Sequence, residues 1–277
     1  MYSEFSTRKR KRKIARDRVN CPRGFLIVHT MKIVPNSSAE AVVAALSSRI
    51  IARISRNQPV LLLVTGSDCE SLAIGAFRAV SGHMAGDRRR LRMLFTVGLT
   101  DERFGKSGHE DSIWRQLVDR GFDTSICNPM PILVGKGSGE PSDLESTVKR
   151  YDAFLSDAAQ RRAEGKLYIA CLLALGDDGH VAGILPESPP SLMEGNGANF
   201  VAGYRSAFFP RVTVTPSFFP SIDYAGTWVS GLDALPALEL LSESLPPERN
   251  PAQLLKLPAE SEIFAGTEIP RRILKRA

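Results

Sequence analysis

Apolar and polar residues follow two different periods along this chain. Apolar side chains recur at helical spacing over 37–56, whereas 59–64 is a nearly unbroken apolar run. The first pattern predicts an amphipathic helix, and the second predicts a strand buried on both faces. The same reasoning predicts helices over 69–81, 111–120, 142–163 and 233–244, strands from Met31 and over 91–97, 131–135, 168–175, 211–215, 226–230 and 261–265, and a loop over 186–199.

Buried strands that alternate with helices indicate the fold class. They are typical of a largely parallel sheet covered by helices on both faces, and 277 residues suffice for one large α/β domain or two small ones. No apolar run approaches the roughly 18 residues that a membrane-spanning helix needs. Four cysteines are scattered without a C-x-x-C pair, which argues against a zinc site and a disulfide framework, so we expect a cytoplasmic protein.

The positive charge of the chain is concentrated near its N-terminus. The net charge is +6, but residues 1–30 hold nine Lys/Arg and two acids, whereas residues 31–277 hold 27 Lys/Arg and 28 acids. The run Arg8 to Lys13 would attract phosphate backbones or anionic lipid without needing a fold. The nearly neutral body gives no reason to expect a nucleic-acid partner elsewhere, and we expect no membrane partner.

Two other interpretations of residues 1–30 stay open. One is a targeting segment, although a secretory signal would need roughly 7–15 apolar residues directly after the charges. The other is that the native protein starts at Met31, because a strand pattern follows at once and Ser37-Ser38-Ala39-Glu40 has the spacing of a capping box. We therefore expect a disordered or non-native extension over 1–30 and a single domain over 31–277.

One histidine follows the apolar run 168–175 in an acidic, glycine-containing turn. The residues Asp178-Gly179-His180 would present it at the end of a buried strand, and histidine is the side chain whose unperturbed pKa suits proton transfer near neutrality. Asp178 would hold one ring nitrogen and fix the tautomer. The competing interpretation is a surface loop that happens to contain a histidine.

Other strand ends carry polar residues that suit an anionic ligand. Ligands of parallel sheets bind beyond the carboxyl ends of the strands. A turn of small residues after 60–64 leads into a helix, whose N-terminus favours anions. We expect these strand ends and the histidine turn to converge on one pocket of one sheet. The segments are Thr65-Gly66-Ser67-Asp68-Cys69, Asp101-Glu102-Arg103, and Arg211 with Thr213 and Thr215.

Four motifs occur in a fixed order over nearly all of residues 31–265. They are a Ser/Gly/Thr loop, Asp-Glu-Arg at 101–103, Gly-x-Asp-Gly-His-x-Ala-x-x-x-Pro at 176–186 and Arg-x-Thr-x-Thr at 211–215. This order resembles the 6-phosphogluconolactonase family, relatives of glucosamine-6-phosphate deaminase. The resemblance implies a three-layer α/β/α domain with a mostly parallel, Rossmann-like sheet. It also implies hydrolysis of 6-phosphoglucono-δ-lactone in the oxidative pentose phosphate pathway, with a phosphosugar lactone as partner and no metal or organic cofactor.

The resemblance and the chemistry of lactone hydrolysis together suggest roles. His180 would be the general base, oriented by Asp178. Arg103 would stabilise negative charge on the substrate, while Asp101 and Glu102 would position Arg103 or sugar hydroxyls. Without the resemblance, 101–103 would be a solvated ion-pair loop and Arg211 a surface charge. The substrate-binding residues would be Thr65, Gly66, Ser67, Glu102, Gly179 and Arg211, with Arg211 clamping the phosphate.

The chain departs from the family pattern where the phosphate would bind. Asp68 stands where a neutral hydroxyl is usual, and two like charges at about 4 Å repel by roughly 4 kcal/mol at an intermediate dielectric. Ala234 stands where a lysine is usual, and Ile113 replaces an amide. Leu185 stands where the deaminases have a glutamate, and an aliphatic side chain cannot relay a proton, so the resemblance favours the lactonase.

Three hypotheses follow from this pattern. The chain is a 6-phosphogluconolactonase with weakened phosphate binding, a catalytically impaired relative that serves as a binding or structural subunit, or a hydrolase of a different sugar lactone. The sequence leaves the oligomeric state open, because it contains no heptads or symmetric patch.

Overall fold

The computed structural model describes residues 30–66, 69–135, 143–193, 199–206, 209–229, 231–232, 235–243 and 245–274. The strands within these ranges are β1 Thr30–Val34, β2 Val60–Val64, β3 Phe95–Leu99, β4 Asp101–Arg103, β5 Asn128–Met130, β6 Tyr168–Ala174, β7 Val201–Arg205, β8 Pro210–Val214, β9 Tyr224–Val229 and β10 Glu260–Ala265. The helices are α1 Ala39–Ser55, α2 Glu70–His83, α3 Arg88–Leu94, α4 Ile113–Asp119, α5 Leu144–Ala163, α6 Pro190–Met193, α7 Leu235–Leu241 and α8 Arg271–Leu274.

Seven of these strands form one parallel sheet in the order β1-β10-β9-β6-β2-β3-β5. Every residue of β2 is buried, as its unbroken apolar run predicts. Helices pack against the sheet in a three-layer α/β/α arrangement, and the predicted fold class is confirmed. All strands of a parallel sheet start at one edge, here called the amino edge, and finish at the opposite carboxyl edge.

Local signals place the helices that flank the site. The side chain of Ser38 accepts the backbone N–H of Ala41 at 3.3 Å, which confirms a cap at the predicted start of α1. Asp143 caps α5 in the same way, accepting the N–H of Ser146 at 2.9 Å. No helix in the described part of the chain is long and apolar enough to span a bilayer.

Tyr151 of α5 fixes the carboxyl end of β3. Its hydroxyl donates to the carbonyl of Leu99 at 2.7 Å and accepts the N–H of Leu99 at 3.0 Å. A Cβ at Gly98 would lie 2.7 Å from this hydroxyl, so the glycine lets the ring approach the strand. The end of β3, and with it the start of β4, is therefore held in place.

The bounds of two predicted strands are wrong. Residues 91–94 belong to α3 rather than to a strand, because Asp87 caps a helix by accepting the N–H of Arg90 at 3.0 Å. The predicted strand over 131–135 is loop, although Ile132 and Leu133 are buried, and the strand lies earlier, at β5. β5 contains Pro129 and is tolerated there because it is an edge strand.

The single sheet expected from the sequence is also wrong. β4, β8 and β7 form a separate three-stranded antiparallel sheet, in which Arg103 is paired with Arg211 and Asp101 with Thr213. The Asp-Glu-Arg motif and Arg211 therefore reach the site from this small sheet. Strands of two to five residues with polar side chains carry a weak sequence signal, which explains why β4 and β7 are not predicted.

Candidate active site at the carboxyl edge

The turn after β6 brings the predicted base and its partner together. His180 Nδ1 lies 2.6 Å from Asp178 Oδ1, which also accepts the backbone N–H of His180 at 2.9 Å. Both side chains are partly exposed, by 39% for His180 and 45% for Asp178. When Nδ1–H donates to the carboxylate, Nε2 is the nitrogen that can accept a proton.

Glycines make this turn possible. A Cβ at Gly176 would overlap the His180 ring, so the ring can fold back over the turn only if residue 176 has no side chain. Gly179 has φ +86°, and a Cβ there would also lie 2.6 Å from Asn250 Oδ1. The backbone shape that presents His180 therefore depends on these two residues.

The small sheet supports the turn from one side. The hydroxyl of Tyr204 donates to the carbonyl of Gly183 at 2.6 Å, and the hydroxyl of Thr213 donates to the carbonyl of Ala182. Gly183 has φ +72°, and a Cβ there would lie 2.6 Å from Asp101 Oδ2. The segment that follows the histidine is thus packed directly against β4, β7 and β8.

Asp101 links three parts of the site. Its Oδ1 accepts the hydroxyls of Thr65 and Thr100, each at 3.0 Å, and its Oδ2 lies 3.3 Å from Arg211 Nη1. Asp101 is only 3% exposed, so these protein groups, rather than water, balance its charge. We interpret Asp101 as the residue that positions Arg211 and the turn after β2.

Glu102 faces away from Asp101, as alternate residues of a strand do. It is fully buried, and its carboxylate accepts the N–H groups of Arg103 and Ile113 at 2.8 Å, that of Trp114 at 3.1 Å and the hydroxyl of Ser112 at 2.9 Å. Burial raises the pKa of Glu102, and these hydrogen bonds oppose the rise. Glu102 therefore holds the N-terminus of α4 against β4.

Arg103 and Arg211 are cross-strand neighbours with different surroundings. Arg211 pairs with Asp101, whereas Arg103 has no carboxylate within 4 Å among the described residues and donates to the carbonyl of Asp111 at 3.1 Å. The Nε atoms of both are buried and have no hydrogen-bond partner in the described part of the chain. Both residues are partly exposed, so the pair offers positive charge to an anion.

An aliphatic side chain lies against the described part of the turn after β2. A Cβ at Gly66 would lie 2.9 Å from the side chain of Ile113, so an aliphatic wall lines this turn. Glu70, in the first turn of α2, is 2% exposed and lies 2.7 Å from Arg120. The predicted residues Ser67, Asp68 and Ala234 lie outside the described residues, and Thr215 bonds to the carbonyl of Asn199 rather than within the site.

Of three residues that contact the turn, sequence reasoning missed Tyr204 and Asn250 and named Thr213 only as part of a motif. Tyr204 and Thr213 bond its backbone, and Asn250 lies against Gly179 with an amide that is fully buried and has no partner among the described residues. Thr213 belongs to the motif at 211–215, but no sequence pattern predicts that its hydroxyl donates to the carbonyl of Ala182. Tyr204 and Asn250 are brought in from distant strands and loops, so no local pattern identifies them.

The fold and this edge define a class of protein. It is an α/β protein with a three-layer architecture, in which a His–Asp pair lies at the carboxyl edge of a parallel sheet and two cross-strand arginines lie on the small antiparallel sheet. The family model described as glucosamine-6-phosphate isomerases/6-phosphogluconolactonase matches residues 34–264, and the chain belongs to this family. No curated protein sequence matches the chain.

Solved structures of similar fold agree with this assignment. A putative 6-phosphogluconolactonase from Neisseria gonorrhoeae is 16% identical with a TM-score of 0.65, covering 85% of this chain and 100% of that one. The 6-phosphogluconolactonase from Trypanosoma brucei is 16% identical with a TM-score of 0.60, covering 86% and 97%. A monomeric glucosamine-6-phosphate deaminase is 17% identical with a TM-score of 0.61, covering 85% and 97%.

Proposed function

We propose that this protein hydrolyses 6-phosphoglucono-δ-lactone to 6-phosphogluconate, a step of the oxidative pentose phosphate pathway. The observation that carries the proposal is the 2.6 Å contact between His180 Nδ1 and Asp178 Oδ1 at the carboxyl edge. It leaves Nε2 available as a general base. Family membership and the several lactonases among the similar structures support the same reaction.

A lactone is an activated ester, so its hydrolysis needs a base for the attacking water, a partner that stabilises the charged base and a group that stabilises the oxyanion. His180 Nε2 takes a proton from water as the water oxygen bonds to the lactone carbonyl carbon, and Asp178 stabilises the imidazolium that forms. The carbonyl oxygen becomes an oxyanion, which a nearby positive group or N–H donor has to stabilise. The bond to the ring oxygen then breaks, and His180 returns the proton to that oxygen, so the base is regenerated.

The phosphate would bind to the arginine pair. Arg103 has no carboxylate partner among the described residues, and both Arg103 and Arg211 are partly exposed. A phosphate supplies acceptor oxygens and negative charge in a geometry that suits guanidinium groups. Thr65 and Gly66 would line the same pocket, together with Ser67.

The deaminase reaction of the same family is less well supported. Leu185 supplies no carboxylate after the histidine, and its backbone N–H donates to Ser188 Oγ at 3.1 Å. The nearest acid along the chain, Glu187, is exposed and has φ +60° in a turn. We therefore place the proton relay on His180 and Asp178 alone.

Freshly prepared 6-phosphoglucono-δ-lactone tests the proposal, with spontaneous hydrolysis subtracted. Wild-type protein should accelerate release of the acid, and His180→Ala should reduce kcat by roughly 10²–10⁴-fold, the usual worth of a general base. Equal rates for wild type and His180→Ala would contradict the proposal and leave a binding or structural subunit as the role of the chain.

A second candidate is a lactonase for a sugar lactone without phosphate. Two observations favour it: the aliphatic side chain of Ile113 lies against Gly66, and the carboxylate of Glu70 is buried in the first turn of α2. Both disfavour an anion at the turn after β2. Glucono-δ-lactone in the same assay separates the candidates, because a higher kcat/KM for it than for the phosphorylated lactone would select the second.

A further inference from the structure

Helix α3 presents an arginine-rich outer surface at the amino edge. Arg88, Arg89 and Arg92 are exposed, whereas Leu91 of the same helix is fully buried. Met93 is 73% exposed, more than any other large apolar side chain among the described residues. Since β3 begins directly after α3, this surface lies at the opposite edge from the candidate active site.

The charge of this segment is unlike that of the rest of the domain. Residues 78–92 hold five arginines, no lysine and one acid, Asp87, which is used to cap α3. Without this segment, residues 31–277 hold 22 Lys/Arg and 27 acids. The segment, with five basic residues and one acid, therefore has a net charge of +4, whereas the rest of the body, with 22 basic and 27 acidic residues, has −5.

Other arginines at this edge have structural partners. Arg162 pairs with Asp223 at 2.9 Å, Arg53 stacks 4.4 Å from the centre of the Tyr168 ring, and Arg90 donates to the carbonyls that end α1. By contrast, Arg78, Arg88, Arg89 and Arg92 form no ion pair within 4 Å among the described residues. Their charge is available to a partner.

Three of these arginines approach the same segment of the chain. Arg78 Nη2 lies 3.4 Å from the position that a Cβ would take at Gly121. The charge of Arg88 helps to lower the pKa of Asp123, and that of Arg92 opposes the rise that burial causes in the pKa of Cys127. Asp123 is the acid that faces them, and it is also used to cap a short helical turn by accepting the N–H of Ser125 at 2.9 Å. Arg78, Arg88, Arg89, Arg92 and Met93 are called the α3 surface below.

We propose that the α3 surface docks this protein on an anionic lipid membrane. The arginines would bind lipid phosphates and carboxylates, and Met93 would enter the boundary between headgroups and acyl chains. β1 begins at Thr30 on the same amino edge, so the basic residues that precede it in the sequence are connected to the protein on this side. The carboxyl edge would face away from the membrane and stay open to substrate.

Met93 favours a lipid surface over a nucleic acid. Phosphodiester backbones attract arginines equally well, but they offer no apolar phase for an exposed methionine among those charges. A bilayer offers both. The proposal runs against the sequence-based expectation of no membrane partner, because Arg78 is distant in sequence from the other three arginines until the fold brings them to one side. The proposal extends beyond catalysis and does not depend on the reaction.

Vesicle co-sedimentation of the full-length protein tests the proposal. We expect binding to vesicles of 70% phosphatidylcholine and 30% phosphatidylserine at low salt, no binding to pure phosphatidylcholine, and release at about 0.5 M salt. Each arginine near a charged membrane contributes about fivefold to binding, so the triple substitution Arg88→Gln, Arg89→Gln, Arg92→Gln should weaken it by about a hundredfold. Met93→Ser should weaken it several-fold without changing the salt dependence.

A matched triple, Arg205→Gln, Arg249→Gln, Arg271→Gln, controls for net charge, because these arginines are exposed but lie outside the α3 surface. Binding should survive in this control, and circular dichroism should show both triples folded.

Equal loss in both triples, or no loss in the α3 triple, would overturn the proposal. Loss only on neutralising Arg8 to Lys13 would assign binding to the N-terminal residues instead. Tighter, α3-dependent binding to a duplex oligonucleotide at the same salt would replace lipid by nucleic acid.

Discussion

The turns after β6 and β2 lie at the ends of adjacent strands, yet they are built in opposite ways. The turn after β6 has a carboxylate that holds a histidine ring, and two glycines that let the ring fold back. The turn after β2 lies against the aliphatic side chain of Ile113, with a buried carboxylate at the start of the next helix. One turn is equipped for proton transfer, whereas the described part of the other carries an aliphatic wall and a buried carboxylate.

This difference separates the two demands that a phosphorylated lactone makes. Hydrolysis requires a base, which the histidine turn supplies. Phosphate recognition requires donors and positive charge, and here these come from Arg103 and Arg211 on the small sheet rather than from the turn after β2. Anion binding and proton transfer can therefore be changed independently by substitution.

Asp178→Asn should have the largest effect on the histidine turn. The amide lacks the charge that stabilises the imidazolium and can present N–H instead of oxygen to Nδ1, so the ring loses its fixed tautomer. We expect kcat for the preferred lactone to fall by about 10²-fold or more with KM nearly unchanged. Steady-state kinetics measure this split, and Asp177→Asn, the neighbouring acid, is the matched control. A change in KM alone would place Asp178 in substrate binding.

Substitutions of the two arginines should separate an effect on the free energy of unfolding from an effect on KM. Arg211→Met leaves Asp101 buried without its charged partner, and breaking a buried pair costs about 3–5 kcal/mol of unfolding free energy. Arg103→Met breaks no ion pair among the described residues, so its effect should fall on KM for the phosphorylated lactone, by roughly 10–100-fold, the worth of a hydrogen bond to a charged group. Urea unfolding and kinetics on both lactones distinguish them. Equal effects on glucono-δ-lactone and its phosphate would show that Arg103 does not bind the phosphate.

Ile113→Asn should make the turn after β2 better able to bind a phosphate. An amide in place of the aliphatic wall gives the turn after β2 a donor, and one neutral hydrogen bond is worth about 1 kcal/mol, or roughly fivefold in kcat/KM for the phosphorylated lactone. Ile113 is 3% exposed, so a loss of unfolding free energy of about 1–3 kcal/mol should accompany this gain. Ile113→Val, which stays apolar, is the control. No gain with the amide would mean that phosphate does not approach this turn.

Asn250→Leu should have the smallest effect, and its sign is informative. The buried amide has no partner among the described residues, so an apolar residue of similar size should leave stability unchanged or raise it by about 1 kcal/mol. If the amide helps to hold the turn at Gly179, kcat should nevertheless fall. Thr227→Val removes another buried hydroxyl without a described partner, in β9, and should leave kcat unchanged. Loss of stability in Asn250→Leu would indicate a partner outside the described residues.

Sequence patterns predicted the long elements well and the small sheet poorly. The helix predicted over 37–56 is α1, and the strand over 168–175 is β6, because each buries an apolar face large enough to produce a clear period. α3 was mistaken for a strand because Leu91, Met93, Leu94 and Phe95 are nearly contiguous, and the Asp87 cap was the signal that could have corrected it. Short polar strands such as β4 are defined by their partners, which a single sequence does not reveal.

The same limit applies within the candidate site. The contact between Asp178 and His180 was predicted because only one residue separates them, and it is confirmed. The contact between Asp101 and Arg211 joins residues 110 positions apart, and it was not predicted. Close neighbours constrain each other through the backbone, whereas distant ones meet only through the tertiary fold.

The antiparallel sheet of β4, β8 and β7 has a consequence for the order of folding. β4 is separated from β7 and β8 by about a hundred residues, and contacts between distant segments form slowly because loop closure is costly. Asp101, Arg211 and Tyr204 reach the histidine turn only when this sheet has closed. On dilution from denaturant, the ability to turn over lactone should therefore return later than the far-ultraviolet signal of the helices.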